Sequence, residues 1–141
     1  MQKTFHFIIG LLLVITLLTA CTNQKLPCEP QNAAMSVTIS ITGKDNETIL
    51  SDYQVGIFDG NTVLDVLVYA AQKNNIQLDY TGLSKTAYVK GIDNLYEFDY
   101  GSASGWVYAI NDPVNCPGES CGAYKLKDKD QIRWKYITER L

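Results

Sequence analysis

Histidine is almost missing from this 141-residue chain, and the one that is present, His6, lies in the leading apolar run. Ser102 and Ser104 therefore have no downstream imidazole to activate them. Neither a Gly-x-Ser-x-Gly elbow nor a Ser-x-x-Lys pair occurs. Cysteine is scarce and never spaced as CxxC, so zinc and thioredoxin-like redox chemistry lack their usual ligands. Gly101-Ser102-Ala103-Ser104-Gly105 lacks the Lys-Ser/Thr of a phosphate loop and reads as a turn. Asp128 and Asp130 have no further oxygen ligands at calcium spacing and read as a solvated hairpin turn. Asp93, Glu97 and Asp99 recur near strand ends, the residue types of a general acid/base pair, but the sequence does not bring them together. Basic charge is in deficit too, 12 Lys and Arg against 15 Asp and Glu, which leaves no footprint for nucleic acid. The expectation is a chain without catalytic residues, metal site or cofactor.

Long apolar runs are absent except at the start. Phe5 to Ala20 carries no acidic side chain and no basic one besides His6, follows Lys3, and ends in Leu18-Thr19-Ala20-Cys21. This pattern resembles a bacterial lipobox: a basic start, an apolar stretch shorter than the roughly 20 residues a membrane span needs, and small residues before a cysteine. The resemblance implies removal of residues 1–20, lipidation at Cys21, and an extracytoplasmic protein held to the cell membrane by its acyl chains. An uncleaved helix or an ordinary secretory signal with an incidental cysteine are the competing readings.

The remaining 121 residues suit one domain and a tether. Of the charged residues only Lys3 lies in the first twenty, so the rest is acidic on balance, which favours solubility and names no ligand. Residues 21–35 read as the lipidated tether, since Thr22 to Ala34 is rich in Asn, Gln, Pro and Ala and shows no apolar period. Residues 36–141 read as the folded domain. Cys116 and Cys121 bracket Pro117-Gly118-Glu119-Ser120, a turn that can bring two thiols together in an oxidising compartment, and a disulfide is expected there. Cys28 is then left over; being free, pairing between molecules and competing for Cys116 or Cys121 all stay open.

Val37, Ile39 and Ile41 alternate with polar residues, the period of a strand with one buried face. A second strand is expected at Tyr53 to Phe58. Val63, Leu67, Ala70 and Asn74 then share one helical face, with Thr62 as N-cap and Asn74-Asn75 at the exit. Further strands are expected at Gln77 to Tyr80, Ala87 to Ile92, Leu95 to Phe98, Gly105 to Asn111 and Gln131 to Thr138. In the last, Ile132, Trp134 and Tyr136 should face the helix while Arg133 and Lys135 face water. One helix on one face of a mixed sheet gives an α+β class with β-grasp element order.

Three stretches carry a family resemblance: Gly60-Asn61-Thr62-Val63-Leu64-Asp65-Val66-Leu67, Ser104-Gly105-Trp106-Val107-Tyr108-Ala109-Ile110-Asn111, and Tyr124-Lys125-Leu126-Lys127-Asp128-Lys129-Asp130-Gln131-Ile132-Arg133-Trp134-Lys135-Tyr136. Together they resemble the transcobalamin-type C-terminal domain, a β-grasp, soluble-ligand-binding type found in many bacterial surface proteins. The resemblance implies the fold and an extracytoplasmic role. In vertebrate cobalamin carriers the domain closes over the corrinoid against a larger helical domain, which this chain does not contain. Two turns depart from the family. Asn111-Asp112-Pro113 stands where Asn-Gly is usual, and Asp128-Lys129-Asp130 where Asp-Gly-Asp is usual; glycine there supplies positive φ.

Aromatic residues crowd the segment from Tyr88 to Tyr124, and such rings contact planar ligands and protein partners efficiently. Packing in a small core is the competing account for Trp106 and Trp134. The expected ligand-binding residues are Tyr100, Ser102, Ser104, Gly105, Trp106, Tyr108, Asn111 and Tyr124. The expected function is a lipid-anchored ligand-binding protein that presents a corrinoid or cobalamin-like nutrient to an extracytoplasmic transporter component. A non-catalytic cell-surface protein-interaction or adhesion module is the alternative.

Overall fold

The computed structural model describes residues 33–139, so the signal segment, Cys21, Cys28 and most of the tether lie outside the described residues. Among the described residues seven strands and one α-helix follow in the order β1 (Met35–Thr42), β2 (Thr48–Ile57), α1 (Val63–Lys73), β3 (Leu78–Thr81), β4 (Tyr88–Ile92), β5 (Leu95–Tyr96), β6 (Gly105–Ile110) and β7 (Gln131–Ile137). They form a four-stranded sheet in the order β2-β1-β7-β6 and a three-stranded sheet in the order β3-β4-β5. The class is α+β, as the sequence implies. Among the described residues no helix is long and apolar enough to cross a membrane.

The first and last strands pair in parallel at the centre of the large sheet, with Ile39 opposite Ile132 and Ile41 opposite Trp134. β6 runs antiparallel to β7 and sets Trp106 opposite Tyr136, Tyr108 opposite Trp134 and Ile110 opposite Ile132. Because side chains alternate along a strand, these residues share one face with Val37 and Val55. Arg133 and Lys135 fall on the other face. Over β1 and β2 the inner face is covered by α1, whose Val63, Val66, Leu67 and Ala70 are fully buried, and over β6 by β4 rather than by the helix. At about 1.5–3 kcal/mol for each large apolar side chain taken out of water, this layer supplies most of the favourable free energy of folding.

The helix starts where its chemistry says it should. Asp65 N donates to Thr62 Oγ1 (3.3 Å) and Thr62 N donates to Asp65 Oδ2 (2.8 Å), a closed capping box. Two further first-turn donors are satisfied from outside the helix, Val63 N by Tyr124 O (3.3 Å) and Leu64 N by Cys121 O (2.9 Å). The helix N-terminus therefore holds the 121–124 segment in place. At the exit Asn74 N bonds Ala70 O, and Asn75 takes a left-handed φ of 54°.

Two strand boundaries differ from the sequence expectation by more than one residue. β2 begins at Thr48 rather than Tyr53, because a bulge interrupts the apolar alternation: Asp52 has φ 45° and its N–H donates to Ser40 Oγ (3.1 Å). β5 stops at Tyr96 rather than Phe98, whose φ of 69° is incompatible with a strand. Between β4 and β5, Asp93 and Asn94 both have positive φ, the geometry of a tight two-residue hairpin. Gly91 lies opposite Tyr96 there, and a Cβ on it would come within 2.7 Å of the tyrosine ring.

Lys129, at the place of the usual glycine, keeps the handedness that glycine would give (φ 67°), whereas in the other turn the left-handed residue is Asn111 (φ 64°) and Asp112, at the place of the usual glycine, is not left-handed. Side-chain and main-chain bonds hold both in place. Asn111 Nδ2 donates to the buried Asp130 Oδ1 (3.0 Å), Asn111 Oδ1 accepts from Gln131 N (2.9 Å), and Lys129 N donates to Ser36 O (2.7 Å).

Candidate functional site

The β6–β7 ladder carries two cross-strand aromatic pairs, and the structure treats them differently. At the first, the Trp106 and Tyr136 rings meet edge to face at 5.3 Å. Trp106 Nε1 donates to Leu95 O (2.8 Å) and Tyr136 Oη donates to Tyr96 O (2.7 Å) while lying 3.0 Å from Ser104 Oγ. The buried Ser104 hydroxyl donates to Gly101 O (2.9 Å) and accepts from Tyr100 N (3.1 Å). Tyr100 is exposed, stands edge-on to Tyr136, and carries the Lys44 ammonium 4.7 Å from its ring centroid. Lys44 also pairs with Asp45, whose hydrogen bond raises the lysine pKa.

The second pair, Tyr108 and Trp134, packs tilted at 5.4 Å and walls a crevice of about 150 Å³. Ala87, Tyr88 and Val89 of the β4 region form one side, and Glu119, Ser120 and Cys121 the other. Tyr108 Oη donates to Glu119 O (2.7 Å), and Ser120 Oγ lies within hydrogen-bond distance of Ser84 O and Ala87 O, so the lining segment is fastened at both ends. Burial pushes the Tyr108 phenol well above its ordinary pKa and raises the Cys121 thiol, so both stay neutral at physiological pH. Tyr88, at the margin, donates to Glu97 Oε2 (2.6 Å), a bond that lifts its pKa to about 12. One polar atom of this wall has no partner: Trp134 Nε1, on a side chain only 3% exposed, is the one buried side-chain N or O without a hydrogen bond among the described residues.

The eight predicted binding residues fall into three places. Tyr100, Ser102, Ser104 and Gly105 lie at the start of β6, where Ser102 is exposed, Ser104 is committed to the loop, and Gly105 pairs with Ile137. Trp106 and Tyr108 line the crevice, with Tyr124 edge-on to Tyr108 at 6.3 Å. Asn111 is at the far end of β6, occupied with Asp130 and Gln131. Tyr88, Ser120 and Trp134 complete the crevice and are absent from the sequence-based set. For Trp134 the sequence leaves binding and core packing both open, since alternation gives a ring's side and not the fate of its N–H.

The expected Cys116–Cys121 disulfide is not formed. Cys116 is exposed, whereas Cys121 is 4% exposed and packed in the core with its carbonyl on the helix N-terminus, so the two side chains serve opposite environments. Two of the three candidate carboxylates are engaged in local hydrogen bonds. Glu97 accepts from Tyr88, and Asp99 caps its own turn by accepting from Tyr96 N (2.8 Å). Among the described residues no group of three or more His, Cys, Asp or Glu is placed to hold a metal ion. Two larger hollows, about 360 Å³ beside Lys44 to Asn46 and about 490 Å³ beside Asp128 and Lys129, are lined mainly by turn residues and strand ends.

Residues 60–138 match the family described as a domain of unknown function, DUF4430. Among the solved structures that share the fold are the following two. A candidate metal-binding protein from Ruminococcus gnavus ATCC 29149 superposes with a TM-score of 0.54 at 12% identity, over 73% of this chain and 96% of its own. Haptocorrin in complex with Cbi superposes with a TM-score of 0.54 at 13% identity, over 77% of this chain but only 27% of its own. No curated protein matches the chain.

Proposed function

The chain belongs to the DUF4430 family, and on that premise we propose that it is a non-enzymatic, lipid-anchored extracytoplasmic domain that binds a soluble ligand on its aromatic face. The observation that carries the reading is the crevice at Tyr108 and Trp134, mostly apolar, walled by aromatic rings, and lined by a side chain whose buried N–H has no partner. Ligand sites have this composition, mostly aromatic walls with few placed polar groups. The fold shared with a haptocorrin that holds Cbi makes a corrinoid the first ligand to test. A volume of about 150 Å³ is far below the roughly 300–1,000 Å³ of a whole-ligand pocket. A corrinoid macrocycle would therefore lie across the mouth, near Tyr88, with only a side group inside. A non-catalytic role is supported by Ser104, whose hydroxyl is spent on Gly101 O and Tyr136 rather than presented as a nucleophile.

Titration of the purified chain with cobalamin and cobinamide, followed by ligand absorbance and tryptophan fluorescence, tests the reading. Saturable change in either signal supports it; none at high micromolar ligand rejects the corrinoid version.

A protein-interaction role is favoured by a different observation, the rings of Phe98 and Tyr100, 62% and 53% exposed on one turn. Phe98 holds a left-handed φ of 69°, a costly conformation for a bulky residue that is characteristic of functional turns. Loss of a pulled-down transporter component in Phe98→Ala with corrinoid binding unchanged would favour this second role.

A further inference from the structure

We infer that the crevice between β4 and the Glu119–Cys121 segment is a subsite for one neutral aromatic ring bearing a hydrogen-bond acceptor, read by the Trp134 indole N–H. The inference rests on the ligand-binding reading and names what the inner part of the ligand must be. The other side-chain N–H and O–H donors of the crevice residues are already spent. Trp106 Nε1 serves Leu95 O, Tyr108 Oη serves Glu119 O, and Ser120 Oγ is held by Ser84 O and Ala87 O. Trp134 Nε1 alone donates to no protein atom, on a side chain that is 3% exposed. A buried N–H of this kind is an exception in folded proteins and selects for an occupant that carries an acceptor.

Size and charge narrow the occupant. An apolar cavity of about 150 Å³ is the size that admits a benzene ring, and the volume here is about 150 Å³. Two aromatic walls favour a flat guest in offset or edge contact. The phenol of Tyr108 and the thiol of Cys121, held neutral by burial, and the Glu119 carboxylate in the lining offer an anion no counter-charge, and an acceptor for the Trp134 N–H must itself be unprotonated. A single azine-type ring, its nitrogen lone pair accepting from Trp134, meets all three conditions. Nε1 has no solvent contact in this structure, so an acceptor can bond it only after a local opening of the crevice wall.

The chain has two tryptophans, so 15N-tryptophan labelling of the full chain gives two indole N–H signals. Trp106→Phe or Trp134→Phe, whichever folds, assigns both. Pyridine should shift the Trp134 proton downfield and saturably, leave Trp106 in place, and move the backbone amides of residues 119–121 in a uniformly labelled sample. Benzene, which fits but cannot accept, should move residues 119–121 with a much smaller change at Trp134. The assignment is overturned if pyridine moves neither indole, moves both alike, or acts no differently from benzene, as it would were the N–H bonded to an internal water. A corrinoid response in fluorescence with Trp134 untouched by pyridine would overturn the subsite while leaving the binding reading standing. A pyridine response without any corrinoid response would support the subsite and remove the corrinoid.

Discussion

The two aromatic pairs on the β6–β7 ladder sit on the same face, two residues apart, yet one is chemically finished and the other is not. Around Trp106 and Tyr136 each polar atom has a partner, and those partners, Leu95 O, Tyr96 O and Ser104, tie the small sheet and the 97–104 turn to the large sheet. Around Tyr108 and Trp134 the partners belong to an irregular segment, and one indole N–H has none. The difference separates a structural joint from the place where we propose that a ligand binds. An unsatisfied buried donor costs about 1–3 kcal/mol, a cost that binding of an acceptor would offset.

The sharpest way to break the comparison is at the finished end. Tyr136→Phe removes a hydroxyl that serves Tyr96 O and touches Ser104 Oγ, and unfolding in urea should show a loss of about 1–3 kcal/mol. A loss near zero would mean that this joint is no more complete than the crevice. The helix cap comes next, because the same helix end holds the crevice segment through Leu64 N and Cys121 O. Thr62→Ala should cost about 1 kcal/mol and increase hydrogen exchange in residues 121–124. A smaller effect, of opposite sign, is expected away from both pairs. Lys129→Gly relieves a left-handed lysine and should raise stability by up to about 1 kcal/mol, less the entropy that glycine adds to the unfolded chain.

Titration gives the mildest test. Tyr88 has a folded-state pKa of about 12 against an unfolded value of 10.0, and Tyr108 and Tyr124 are raised in the same direction. A tyrosine held neutral by the fold contributes its full stability below pH 10, and loses it as the pH rises from 10 toward 12, because the unfolded chain ionises first. Stability measured across that window should fall, and Tyr108→Phe should fall less steeply than wild type.

Most of the framework was legible. Alternation at Val37, Ile39 and Ile41, and again at Ile132, Trp134 and Tyr136, is a direct consequence of burying one sheet face, and Thr62 with Asp65 spells a capping box. What the sequence hid was backbone that breaks a period, as where the Asp52 bulge concealed the first half of β2. It also hid which environment a side chain enters, so that a turn between Cys116 and Cys121 suggested a bridge where one thiol is in fact a core residue. The site was half visible for the same reason: Trp106 and Tyr108 announced themselves as aromatic strand residues, but Tyr88, Ser120 and the unpaired N–H of Trp134 are brought together by tertiary contacts alone.

The most direct test of the asymmetry is the pair of indole N–H resonances in the unliganded chain, with their temperature coefficients. The account predicts a downfield, weakly temperature-dependent Trp106 proton bonded to Leu95 O, and an upfield Trp134 proton that lacks a hydrogen-bonded shift. Two equally downfield, equally bonded indole protons would contradict it.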